Sequence, residues 1–274
     1  MRAVIMLSKK YETADLFQTA YKLLLEDYPI NPDGWIEREK RCRSPCGTVT
    51  YHPLQAYANP IHAIRLGREL NLLEILPAAF YDLSRWPVAA IQLGTRPLAG
   101  GEHIPNDTDN TNVVKLSAND FAMVVGLKDW LMRYMREFLR IFVDERALMH
   151  NCEDPSDPNC CYVFTFVLDK VLRMIAGLPG GEKYMRPEKS MIDPLLILER
   201  IWIAVRQKQS DIFKVDFKEM GADTDGKTDK KTTVACRGCA SDLRNACFLA
   251  RNECWMKMSD WVANRKGGKR SPVF

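Results

Sequence analysis

Nine cysteines carry most of the chemistry available to this 274-residue chain, and their spacing sorts them into groups. Cys236 and Cys239 form a C-x-x-C knuckle, two thiolates on a tight turn that directs both sulfurs at one ion. Gly238 between them is expected to supply an unusual backbone angle. A helix is expected immediately afterwards, and its N-terminal dipole favours the thiolate that zinc requires. One knuckle supplies half of a tetrahedral site. Cys152 and Cys160, spaced C-x7-C in a Pro/Asp-rich loop, are expected to supply the other half, with Cys161 and His150 as substitute ligands. The spacing therefore predicts one structural zinc on Cys152, Cys160, Cys236 and Cys239. Two other readings stay open at this point, ordinary reduced thiols and a redox or disulfide pair. A thioredoxin-like site is disfavoured, because the knuckle lies in a helical context without a strand–helix–strand pattern.

The remaining candidates are weaker. Cys247 and Cys254 share a helical face with Leu243, Ala250, Met258 and Trp261, which makes them small buried hydrophobes. Cys42 and Cys46, set among Arg41 and Arg43, read as loop thiols. Of four histidines, His62 falls in a helical stretch, His52 precedes a proline and His103 lies in a polar connection. No G-x-S-x-G elbow, H-E-x-x-H pair or kinase signature is present, and the glycine pairs at Gly100-Gly101 and Gly180-Gly181 lack the residues that cradle phosphate. The expected class is not an enzyme, and no catalytic residue is assigned.

The elements that must position these cysteines are helical nearly throughout. Ala3–Lys9 and Thr13–Asp27 read as two helices broken near Tyr11, the second carrying Leu16, Phe17, Ala20, Leu23 and Leu24 on one stripe and stopped by Pro29. The polar stretch 30–57, broken by Pro32, Gly34, Pro45, Gly47 and Pro53, is expected to be an ordered loop with short turns. Asn59-Pro60 is an N-cap followed by proline at the first helical position. A second stripe uses Leu73, Leu76, Ala79, Phe80 and Leu83, and residues 95–112 form a connection. Ser117 with Asp120 approximates a capping box for a pattern of about thirty residues, with a kink near Gly126 or a break before Arg136 expected. Helices over Val163–Ala176 and from Asp193-Pro194 follow, then a flexible 221–231 and a final helix from about Ser241 to Asn264. The fold class is thus all-α, an irregular array of about nine helices with a four-cysteine structural zinc site. Its divisions are expected at 1–90, a connecting loop at 91–115, a C-terminal helical domain at 116–265 and a basic tail at 266–274.

Composition bounds the function. Hydrophobic residues at 46% and charged residues at 27% are ordinary for a globular chain and exclude a disordered polymer. No apolar run reaches the ~18 residues of a membrane span. The N-terminus has no secretory h-region or cleavage site. Nine cysteines without an export signal argue for a reducing compartment, cytoplasm or nucleus. The net charge of +4 conceals an asymmetry: from Lys227 onward there are eleven Lys/Arg against four Asp/Glu, so the first 226 residues carry −3. Any polyanion contact is expected at Arg265, Lys266, Lys269 and Arg270, with a solvated tail as the plainer reading. A nuclear, nucleic-acid-associated or transcription-regulatory protein using this segment is the alternative function.

Several segments together resemble the region that follows the BTB/POZ core in a large group of basidiomycete fungal proteins. AVIMLSKKYETADLFQTAYKLLLEDYP (Ala3–Pro29) is similar to the group's first helical pair, with Leu7, Lys10, Tyr11, Tyr28 and Pro29 matching, and Trp35 following. AIRLGRELNLLEILPAAFYDLSRW (Ala63–Trp86) resembles its second pair, and LSAND (Leu116–Asp120) the opening of its long helix. The C-x-x-C and the helix bearing Trp255 are similar to its terminal knuckle, and an upstream cysteine pair falls at the position of Cys152 and Cys160. On this resemblance the chain begins where the BTB core should end, with that core itself expected to be missing. The resemblance implies an all-helical post-BTB region with zinc, acting as a non-catalytic protein-protein interaction or adaptor module, and it leaves dimerisation unsupported without the core.

Overall fold

A computed structural model of the chain describes residues 2–41, 59–94, 113–144, 151–153, 194–195, 198 and 236–264. Eight α-helices occur among them, and no strand. In chain order they are α1 (Arg2–Lys10), α2 (Ala14–Asp27), α3 (Pro32–Arg41), α4 (Pro60–Leu70), α5 (Leu76–Ser84), α6 (Val88–Leu93), α7 (Ala118–Asp144) and α8 (Arg237–Asn264), with a 3-10 turn at Leu73–Ile75 before α5. None is long and apolar enough to cross a membrane. The chain divides into two units: Met1–Trp130 with Trp255–Phe274, and Leu131–Cys254. The divisions read from composition follow loops; these follow packing.

In the first unit α1 packs against α2, α2 against α3, and α4 against α5 and the 3-10 turn. Asn59 caps α4 through its side-chain oxygen, which accepts the Ile61 N–H at 2.9 Å, and Pro60 follows in the first turn. Such a cap contributes about 1 kcal/mol. Helix α5 is buried on every side, which suits its run of apolar residues from Leu76 to Leu83. In α2, Ala20 and Leu24 are buried, while Leu16 and Leu23 are each 48% exposed. The apolar stripe of α2 is therefore wider than the face it buries.

Residues 32–41 are not the loop expected of them. They form α3, with Pro32 in its first turn and the Asn31 side chain accepting the Gly34 N–H at 2.8 Å. The buried face of α3 holds Trp35, Ile36, Arg38 and Glu39, so charge sits where an amphipathic pattern would place leucine. Arg38 donates to Asp82 of α5 at 2.7 Å and to Glu39 at 3.1 Å, and Arg85 donates to Asp82 at 2.5 Å and to Glu39 at 3.2 Å. Two guanidiniums and two carboxylates thus neutralise one another inside the unit. Burial alone would push the Asp82 carboxyl up, but Arg38 and Arg85 outweigh it and hold it below the usual carboxylate range. Aromatic rings enclose the tetrad: Trp35 meets Tyr81 edge-on at 5.0 Å, and the Arg38 and Arg85 guanidiniums lie 4.4 and 4.8 Å from the Trp35 ring centre. Trp255 of α8 closes this cluster, donating its indole N–H to the Ile30 carbonyl at 3.0 Å.

Helix α7 runs without interruption from Ala118 to Asp144, so the break expected before Arg136 does not occur. Ser117 accepts the Asp120 N–H at 3.1 Å and its hydroxyl donates to the Asp120 carboxylate at 2.8 Å, the capping pair read from the sequence. Two ties hold its first half in unit 1: Arg68 to Asp120 at 3.2 Å, and Lys128 to the Trp86 carbonyl at 2.8 Å. In unit 2 the Tyr134 hydroxyl lies 3.0 Å from both the Ala250 carbonyl oxygen and the Glu253 carboxylate of α8. Pro194 and Leu195 are helical, and Leu195 and Leu198 are buried. The helix expected over 163–176, the connection 95–112, the flexible 221–231 and the basic tail 266–274 lie outside the described residues.

Candidate metal centre

The site is built on the first turn of α8. That helix begins at Arg237, one turn before the start expected at Ser241, because Cys236 occupies the capping position. The Cys236 sulfur accepts the Cys239 N–H at 3.4 Å, the bond that a serine or aspartate oxygen makes at an ordinary N-cap. It also accepts the Glu153 N–H at 3.5 Å from the loop 151–153. N–H groups converging on a sulfur are the complement of a thiolate ligand.

A second residue pair fastens that loop to α8 further along. The Asp242 carboxylate accepts the Asn151 backbone N–H at 3.1 Å and its side-chain NH2 at 2.6 Å. The pairing lays the Asn151 backbone across Gly238. A Cβ on Gly238 would overlap the Asn151 carbonyl oxygen and stand 2.6 Å from its carbonyl carbon. Glycine is needed here for close approach, and the unusual backbone angle expected of it is not what the position requires: Gly238 lies inside the helix and outside the left-handed region.

The result is a cluster of three sulfurs. Cys152, Cys236 and Cys239 have sulfur atoms all within 4.8 Å of one another, and Cys152 and Cys236 stand 3.9 Å apart. All three are thiols, Cys239 buried and the other two half-buried. Cys152 and Cys236, 84 positions apart in the chain, meet here. Of the expected ligands, Cys160 lies outside the described residues, as do the substitutes Cys161 and His150.

No family model, curated protein or solved structure matches this chain. The cluster is therefore read from its own geometry. Sulfurs bound at about 2.3 Å around a tetrahedral zinc lie about 3.8 Å apart, close to the 3.9 Å between Cys152 and Cys236. The donor set fits as well, since thiolates are common ligands of structural zinc.

The other cysteines play a different part. Cys247 and Cys254 lie on the buried face of α8 with Leu243, Ala250, Met258 and Trp261. Burial pushes the Cys247 thiol up to about 12, leaving it protonated and unreactive at neutral pH. Cys42, Cys46, His52 and His103 are outside the described residues, and His62 is half-buried on α4. Sequence reasoning missed Asn151 and Asp242, the pair that docks the Cys152 loop. An aspartate three residues past a C-x-x-C is too common a feature to mark a tie whose partner lies 91 residues away.

Gly238→Ala separates the helix from the site. Alanine favours helix by about 1 kcal/mol over glycine, so α8 keeps its helicity by circular dichroism. Displacing the Asn151 backbone is expected to weaken zinc binding by roughly 10- to 100-fold, read by competition against a chromophoric chelator. Unchanged affinity would mean that the loop does not dock over Gly238.

Proposed function

We propose that this chain is a non-catalytic helical interaction or adaptor module, whose second unit is tied together by one structural zinc on Cys152, Cys236 and Cys239. Cys160 supplies the fourth ligand, with Cys161 or His150 as its substitute. The observation that carries the reading is the meeting of Cys152 with the Cys236–Cys239 knuckle. A thiolate set of this kind uses the metal to hold a loop against a helix and offers no site for substrate. The juxtaposition also agrees with the resemblance to fungal post-BTB regions, in which an upstream cysteine pair accompanies a terminal knuckle.

For the interaction itself, Val4 and Leu7 of α1 and Tyr11, in the turn just past its end, lie at helical spacing, with Leu7 50% and Tyr11 67% exposed. Leu7 and Tyr11 lie outside the core, and polar replacements should leave the fold intact. The test is affinity purification of the full chain and of the double variant Leu7→Glu, Tyr11→Glu from cells that express it. A protein recovered in stoichiometric amount with the wild type and lost with the variant supports the module. Recovery of the same proteins at the same levels with both contradicts a role for this face. The alternative, a nuclear nucleic-acid-associated regulator, rests on the charge asymmetry toward the C-terminus. It requires salt-sensitive DNA or RNA binding that disappears when Lys266, Lys269 and Arg270 are neutralised.

A further inference from the structure

We infer that Cys152 and Cys236 form a peroxide-sensitive pair whose oxidation to a disulfide removes two of the four ligands from the metal site and releases the metal. The metal-release half rests on the zinc reading above; the disulfide half stands on the geometry alone. The two sulfurs are 3.9 Å apart and a disulfide brings them to about 2.05 Å, so closure needs less than about 2 Å of movement. Cys152 sits in the loop between Asn151, tied to Asp242, and Glu153, whose N–H meets the Cys236 sulfur, so the loop already holds it against Cys236 at the helix start.

Selectivity follows from access. Cys152 and Cys236 are half-buried, whereas Cys239, Cys247 and Cys254 are buried to within 1%. Of these five described cysteines, the first two are the ones an oxidant arriving from solvent meets. A low-polarity surround also keeps the Cys247 thiol protonated, removing it from competition.

The oxidant is hydrogen peroxide, and the step balances with nothing further. One thiolate of the pair attacks a peroxide oxygen; a sulfur–oxygen bond forms, the oxygen–oxygen bond breaks and hydroxide leaves. The second thiolate then attacks that sulfenic sulfur; the sulfur–sulfur bond forms and a second hydroxide leaves. The two sulfurs lose two electrons and peroxide gains them. The sulfenic sulfur–oxygen bond breaks as the second hydroxide leaves, and the two hydroxides take up the two protons lost by the thiols on ionising. Two thiols and one peroxide thus give one disulfide and two waters. With only Cys239 and Cys160 remaining, the cation loses half of its ligands.

The test uses the full chain, its zinc content measured beforehand, titrated with hydrogen peroxide beside a chromophoric zinc chelator and followed by non-reducing peptide mapping. The expected result is a Cys152–Cys236 disulfide as the main product, with zinc released in step, one metal for each cross-link, and rebound after dithiothreitol. Cys152→Ser should lose that cross-link. A main disulfide at any other pair, Cys152–Cys160 included, overturns the inference, as does oxidation of these cysteines to sulfinic acid without cross-linking. The two readings fail separately: a chain that carries no zinc yet forms the Cys152–Cys236 disulfide sinks the metal and spares the pair. A zinc-loaded chain that keeps its metal and forms no such disulfide does the reverse.

Discussion

Replacing Arg38 with methionine is expected to destabilise the first unit by about 3–5 kcal/mol, the cost of leaving a buried carboxylate without its counter-charge. Arg38 and Asp82 are both fully buried and joined at 2.7 Å. Methionine fills most of the arginine stem, so the loss reports charge more than volume. Asp82 would retain Arg85 alone, shared with Glu39. The double variant Arg38→Met, Asp82→Leu removes one charge of each sign and leaves the Arg85–Glu39 pair balanced. It should recover at least about 2 kcal/mol of the combined loss, a coupling typical of side chains in one network. Urea unfolding followed by tryptophan fluorescence checks both, since Trp35 and Trp255 report on this cluster. An Arg38→Met chain within about 1 kcal/mol of wild type would show that the tetrad does not support the fold.

The same network gives a pH dependence of definite sign. Asp82 titrates lower in the folded chain than its ordinary value of about 3.9. Its contribution is therefore fully present above that value and is lost as pH falls through the lower folded value. Unfolding driven by Asp82 should appear only below about pH 4, and Asp82→Asn should shift the acid transition of the first unit toward neutrality.

The second large effect is expected from the metal. A ligand held at about a thousandfold above its Kd stabilises the folded form by about 4 kcal/mol, and a structural zinc at cellular levels should contribute no less. Chelation, or Cys236→Ser, should lower the melting transition of the second unit by that amount while the first unit's transition stays in place. Cys236→Ser is a demanding variant, because serine can still cap α8 through its oxygen and so isolates the loss of the sulfur. Equal melting of the second unit with and without chelator would remove the metal from its stability.

How far the sequence foretold this arrangement depended on where each residue's partners lie along the chain. The Asn59-Pro60 cap, the Ser117–Asp120 pair and the buried face of α8 were legible, because each is a local pattern set by helical spacing. The C-x-x-C was legible for the same reason, and Cys152 was reachable because few residue types complete a sulfur site. Helix α3 was not: its buried face is half charged, and only the position of Asp82 and Arg85, more than forty residues on, makes that burial favourable. Gly238 was singled out for backbone freedom, whereas its role is to admit the Asn151 backbone, a contact no local pattern encodes. Leu16 and Leu23 fitted an apolar stripe yet remain exposed, since spacing shows which residues share a face but not whether anything covers it.

Metal analysis of the full chain, purified without chelators under reducing conditions, tests the central claim most directly. The account predicts one zinc per chain, retained through gel filtration and lost in Cys236→Ser with helicity preserved. A folded wild-type chain carrying well under one equivalent, or a Cys236→Ser chain carrying as much as the wild type, would contradict it.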